Sequence, residues 1–269
     1  MSAKGLKIAV SGKGGVGKTT LAVLLCHIFS REGKRVLAVD ADPDANLGTA
    51  LGFPPEILAK LTAIADDKEL IKERTGAEPG KSGQVFALNP RVEDIPEKYV
   101  VEHAGIRLMQ MGRVAKGGSG CACPENALLK HLLRHLILEA EETVVVDMEA
   151  GLEHLGRGTA EGVDAFVVVV EPGRRSFQTA RSIVGLARDL GVTRVFAVAN
   201  KVRPGDEETI RQEVNFLPIL GFIPYDPALI SADLSGGSVF EQAPEIVVVG
   251  HRIKNRLWEE LEKVQLPAR

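Results

Sequence analysis

The sequence predicts an α/β fold, a doubly wound and mainly parallel sheet flanked by helices, on three observations. Apolar runs of strand length alternate with longer segments of helical character. A glycine-rich turn follows the first run. Carboxylates close two of the runs, at 35–40 and 142–147. The 269 residues suffice for one large domain with a proper core, read as a single domain over 1–269 with an insertion at about 51–103.

The totals narrow the class. The chain carries 33 Lys and Arg against 36 Asp and Glu, with no polybasic block, so neither nucleic acid nor an anionic membrane surface is expected as main partner. No apolar run approaches the ~20 residues of a membrane span. Three cysteines without a signal peptide point to a reducing cytoplasm.

In chain order, residues 6–10 form the first strand. Ser11, Gly12, Lys13, Gly14, Gly15, Val16, Gly17, Lys18, Thr19 and Thr20 follow it, and a helix is expected over 18–31 with Gly33 as its stop. Gly12, Gly17, Lys18 and Thr19 satisfy G-x-x-x-x-G-K-[ST]. This is a loop whose backbone N–H groups surround phosphate oxygens, with Lys18 neutralising the β/γ charge and Thr19 on Mg²⁺. The positive end of the helix adds to the site. Cys26, inside that helix, reads as a buried core thiol.

The second strand, 35–40, ends in Asp40, Ala41, Asp42, Pro43, Asp44, Ala45 and Asn46. Carboxylates at a strand's C-terminal end beside a phosphate loop can orient Mg²⁺ and the attacking water; Asp40 and Asn46 either bind metal-bound water or cap the next turn. From 51 to 96 the strand–helix rhythm lapses into short amphipathic helices. Residues 85–88 and 98–101 are expected as a small strand pair, and the insertion as the place for contacts to a client protein. A core strand over 105–111 follows.

Cys121 and Cys123 then stand two residues apart in a glycine-rich loop, ahead of a helix that Pro124 would open. The spacing is poor for a disulfide, and two thiolates are too few for a closed zinc site in one chain. Two such loops across a two-fold axis would supply four sulfurs, suited to tetrahedral Zn²⁺ or square-planar Ni²⁺. His131 and His135, in the helix over 128–139, are read as surface or packing residues. The strand over 142–147 ends in Asp147, expected on Mg²⁺ through water, followed by Glu149 and by Gly151, whose N–H would turn toward a γ-phosphate.

Three further strands, 165–170, 194–199 and 219–226, alternate with a helix over 174–190. Asn200 and Lys201 follow the second of them; an Asn there can pair with adenine N6 and N7. The C-terminal helix, 244–264, carries Ile253, Leu257, Leu261 and Val264 on one face and is expected to pack on the domain.

Lys13 makes the loop more specific, because it cannot easily reach the phosphates its own loop wraps but could reach those of a second subunit. Lys-Gly-Gly-Val-Gly-Lys-Thr resembles the deviant P-loop ATPases of the MinD/ParA/nitrogenase-iron-protein class, in which two protomers sandwich two nucleotides. The resemblance implies a homodimer bound to ATP and Mg²⁺. Lys13 would complete the partner's site, Asp42 would activate water, Thr19, Asp42 and Asp147 would form the Mg²⁺ set, and Pro224 would flank the base beside Asn200 and Lys201. With Gly-Gly-Ser-Gly-Cys-Ala-Cys-Pro-Glu-Asn at 117–126 and Glu-His-Leu-Gly-Arg-Gly at 153–158, the chain resembles the CooC-type accessory ATPases of carbon monoxide dehydrogenase maturation and the similar AcsF type of acetyl-CoA synthase. That implies nickel handling at Cys121 and Cys123 between two subunits, with either nickel enzyme as client. A MinD/ParA-type positioning ATPase and an iron–sulfur electron-transfer ATPase are the alternatives.

Overall fold

In the computed structural model, residues 5–81, 83–112, 124–149, 162–229, 231 and 238–265 are described. Cys121, Cys123, Gly151 and the run 153–158 lie outside them.

The strands are β1 (Lys7–Gly12), β2 (Val36–Ala41), β3 (Val101–His103), β4 (Ile106–Gln110), β5 (Thr143–Met148), β6 (Ala165–Val170), β7 (Val195–Val202) and β8 (Ile219–Pro224). They form one sheet in the order β3-β4-β2-β5-β1-β6-β7-β8, parallel throughout except for the antiparallel β3–β4 pair. All six residues of β1, β2, β5 and β6 are buried, which is why these strands read as unbroken Val, Ile and Ala runs rather than as alternating patterns.

Alternate residues of the strands face opposite cores. Ile8, Val10, Val167 and Val169 pack with α1 (Lys18–Arg31), α9 (Val239–Gln242) and α10 (Pro244–Gln265). Ala9, Val144, Val146, Phe166 and Val168 face α4 (Lys68–Thr75), α6 (Pro124–Leu138), α7 (Arg174–Asp189) and α8 (Asp206–Glu213). Helices therefore cover both faces, as expected. With β1 central, the ends of β2 and β5 lie on one side of the phosphate loop and those of β6, β7 and β8 on the other.

Local boundaries follow local chemistry. Helix α1 stops where Gly33 takes φ 76°, and Pro124 opens α6. The short helices α2 (Leu47–Ala50), α3 (Pro55–Leu58) and α5 (Ile95–Lys98), together with α4 and a 3₁₀ turn over Ile64–Asp66, occupy the stretch without rhythm.

The strand pair expected at 85–88 and 98–101 is corrected. Residues 85–88 form no strand: Val85 is 95% and Leu88 68% exposed, so this run has no face to bury. Tyr99 instead follows α5 and donates its hydroxyl to Asp67 Oδ2 at 2.6 Å. The true hairpin joins β3 to β4 through Ala104 and Gly105 at φ 50° and 75°, a two-residue turn whose left-handed backbone matches strand twist. Strand β7 also runs farther than expected, taking in Asn200 and Lys201.

Helix α10 lies against β8 and α1, with Ile253, Leu257 and Leu261 buried. Among the described residues no helix is long and apolar enough to cross a membrane. Ile253 is 1% exposed, so Ile253→Ala is expected to lower the unfolding free energy by about 2–4 kcal/mol. Urea titration followed by the fluorescence of Trp258, the single tryptophan, measures it.

Candidate nucleotide and magnesium site

The loop between β1 and α1 is held by contacts that leave little room for side chains. Gly17 sits at φ 94° before the first turn of α1, and a Cβ there would lie 2.0 Å from Asn200 Nδ2. A Cβ on Gly12 would lie 2.5 Å from the Val169 carbonyl oxygen in β6. Val16 is buried and anchors the loop in the core, whereas Gly14 and Gly15 are exposed with nothing near their Cβ positions, leaving the tip open to a ligand. Thr20 lies half-buried in the first turn of α1.

The carboxylates converge on this loop. Thr19 donates its hydroxyl to Asp147 Oδ2 at 2.6 Å, and Lys18 Nζ stands 3.5 Å from Asp42 Oδ2. Asp147 is fully buried and its Oδ1 has no hydrogen-bond partner. A hard cation at that oxygen, with the Thr19 hydroxyl beside it, suits the donor set that Mg²⁺ prefers. Burial pushes Asp147 up to about 7; the Thr19 hydrogen bond opposes this and the neighbouring charge of Asp40 adds to it. Burial likewise pushes Asp40 up to about 6, against hydrogen bonds from the N–H groups of Leu47 and Asp42.

Those bonds give Asp40 the turn-capping role; Asn46, at the N-cap of α2, makes no side-chain cap bond. Cys26 is a buried free thiol with its pKa raised by burial, as expected of a core residue.

On the other side of the loop, Asn200 is buried under Val16 and donates Nδ2 to its carbonyl oxygen at 2.8 Å, while its Oδ1 is buried with no partner. Lys201 takes φ 58°, unusual for a residue with a Cβ, in an irregular stretch of the β7–β8 register. That backbone sends its amine to the Gly15 carbonyl oxygen at 2.5 Å. Pro224 is exposed at the end of β8. Lys13 pairs with Glu171, its Nζ 3.4 Å from Oε1.

Residues 7–239 match the CobQ/CobB/MinD/ParA nucleotide-binding domain. The chain belongs to this family. The carbon monoxide dehydrogenase accessory protein CooC of Rhodospirillum rubrum is 49% identical over 261 residues, 97% of this chain and 99% of the relative. An uncharacterized ATP-binding protein of Methanocaldococcus jannaschii is 43% identical over 234 residues, 86% and 90% of the two chains. The MinD cell division protein of Aquifex aeolicus shares the fold at a TM-score of 0.67 and 22% identity, covering 98% of this chain and 100% of that one. The CooC-type resemblance read from the motifs is thus matched along the chain, and this family member is an ATP-binding ATPase that uses Mg²⁺.

Two polar contacts beside the loop escaped the sequence reading. Ser11 donates its hydroxyl to the Glu149 carbonyl oxygen at 3.0 Å, tying the end of β1 to the chain leaving β5. Glu171 follows β6 directly, and the rule that singled out Asp40 and Asp147, a carboxylate at the C-terminal end of a strand, would have found it.

Gly17→Ala forces a left-handed alanine against Asn200 and should weaken ATP binding at least about 100-fold in a calorimetric titration. The pH behaviour follows from Asp147. Its folded pKa is raised, so the folded state holds a proton that the unfolded state has lost, and the nucleotide-free chain loses stability as pH rises from about 4 to about 7. Asp147→Asn should flatten that slope and stabilise the nucleotide-free chain at pH 8 by about 2–4 kcal/mol, read from denaturant midpoints. Cation binding needs the ionised carboxylate, so Mg²⁺-nucleotide affinity of the unmodified chain should fall as pH drops below about 7.

Proposed function

We propose that this chain is an ATP-driven nickel-delivery protein, cytoplasmic and dimeric in its working state, that assists insertion of Ni²⁺ into carbon monoxide dehydrogenase or acetyl-CoA synthase. The observation that carries the reading is 49% identity along nearly the whole of both chains to a protein named as a carbon monoxide dehydrogenase accessory factor. The pair Cys121 and Cys123 supports it chemically, since thiolates contributed two by two across a two-fold axis give one Ni²⁺, or Zn²⁺, four soft ligands.

In this reading the nickel ion is cargo and ATP is the fuel. The N–H groups of the Gly12–Thr19 loop receive the phosphates, and Lys18 neutralises the β- and γ-oxygens. A γ-phosphate competes with Asp42 for the Lys18 amine, which stands 3.5 Å from that carboxylate, and so frees Asp42 to orient water toward the terminal phosphorus. Thr19 and Asp147 would hold Mg²⁺, which would supply positive charge against that of the phosphates. Lys13 crosses to the phosphates of the second copy and stabilises charge on the transferred phosphoryl group. Water adds to that phosphorus as the bond to ADP breaks. Loss of the γ-phosphate returns Lys18 to Asp42 and relaxes the segments that follow β2 and β5.

Ile253, Leu257 and Leu261 of α10 are already buried in the domain, where the helix packs on β8 and α1, which favours delivery over positioning on a membrane surface. Iron and acid-labile sulfide content separates delivery from electron transfer, because an iron–sulfur cluster contains both and a Ni²⁺ or Zn²⁺ thiolate site contains neither. Metal per chain and molecular mass of the reduced protein, with and without ATP, test the reading. One nickel or zinc per two chains is expected, lost in Cys121→Ser together with metal-linked dimerisation. A Cys121→Ser chain that binds nickel at the full ratio sinks the metal assignment.

A further inference from the structure

Glu171 stands at the end of β6, where its own N–H donates to Ser176 Oγ at 3.0 Å in the first turn of α7. Its two carboxylate oxygens are divided between two lysines. Oε1 lies 3.4 Å from Lys13 Nζ, and Oε2 lies 3.2 Å from Lys201 Nζ. Lys201 also donates to the Gly15 carbonyl oxygen, so the carboxylate, one lysine and the tip of the phosphate loop form a fixed frame on which the second lysine rests.

We propose that Glu171 is a positioning residue that parks Lys13 within its own protomer and so opposes nucleotide-dependent pairing until a phosphate on a second copy of this chain draws that lysine away. The proposal rests on the preceding reading of Lys13 as the residue that crosses between protomers.

Charge and exposure make the contact reversible. Two lysines and one glutamate leave one net positive charge beside the loop tip, so an approaching phosphate meets attraction rather than a neutral pair. When Lys13 leaves, Glu171 keeps Lys201 as partner and no carboxylate is stranded. The Lys13 side chain is 37% exposed and that of Glu171 24%, so the contact is weakened by water and is broken at small cost. It nevertheless favours the separated protomers, and a two-fold dimer must break it twice. Lys201 serves as the fixed anchor because its backbone already lies in the left-handed region that aims its amine at Gly15.

The full chain carrying Glu171→Gln tests this in two measurements. In sedimentation with a non-hydrolysable ATP analogue, its dimer should form at about tenfold lower protein concentration than the unmodified chain, since two contacts no longer need breaking. In the nucleotide-free chain, brief acetylation with the modified lysine identified by mass should label Lys13 faster in Glu171→Gln. Glu171→Asp should restore both readings toward those of the unmodified chain, which a packing defect would not do. Unchanged dimerisation in Glu171→Gln, where the unmodified chain does dimerise, overturns the parking role and leaves the delivery reading intact. A chain that does not dimerise with the analogue overturns the role of Lys13 between protomers instead. Equal Lys13 labelling in the two chains shows in either case that Glu171 does not hold it.

Discussion

Ionising a carboxyl group that water does not reach is costly unless cations or hydrogen-bond donors take up the charge. Asp147 has one donor, the Thr19 hydroxyl, and an oxygen with none. It also shares its surroundings with Asp40 and Asp42, whose charges work against its ionisation, while Lys18 favours it. The arrangement is short of positive charge, and a divalent cation with its phosphates is the ligand that supplies the missing partner. Strand order produces this: β5 pairs with β1 on one side and β2 on the other, so three carboxylates arrive beside one loop without any being close in sequence to it.

A phosphate loop must present N–H groups at fixed positions, yet its glycines provide no side chains to fix it. The restraint comes from neighbouring strands. Val16 buries its side chain, Asn200 holds the Val16 carbonyl and Lys201 holds that of Gly15, so successive residues of β7 grip successive carbonyls of the loop. The irregular β7–β8 register and the left-handed backbone at Lys201 make this possible, since regular strand geometry would point neighbouring side chains to opposite faces. Backbone strain at one residue is thereby exchanged for a rigid anion cradle.

Motifs whose parts are adjacent in sequence were legible in advance. The loop, the extent of α1, the ends of β2 and β5 and the opening of α6 at Pro124 each depend on neighbours within one turn or strand. Contacts closed by tertiary pairing were less visible. Tyr99 reads as a strand residue by type, but its hydroxyl is claimed by Asp67 thirty-two positions earlier. Ala104 and Gly105 carried a turn signal that went unread because alanine rarely accepts positive φ. Asn200 was singled out for the base, and the structure adds a grip on Val16 across 184 residues that no spacing rule could have foreseen.

The insertion is joined to the helix that follows the cysteine pair rather than standing apart from it. Gly80 donates its N–H to Glu125 Oε1 at 3.0 Å, and Glu125 lies in the first turn of α6, two residues past Cys123. Leu128, Leu129, Leu132, Leu133, Leu136 and Ile137 bury the apolar face of α6 against the sheet, so its first turn is anchored to the body that carries Asp147. A displacement of α6 relative to the sheet would have to carry that packed face with it, and close-packed interiors resist such shear. A nucleotide-linked shift transmitted through α6 therefore moves the helix together with the sheet face it packs on.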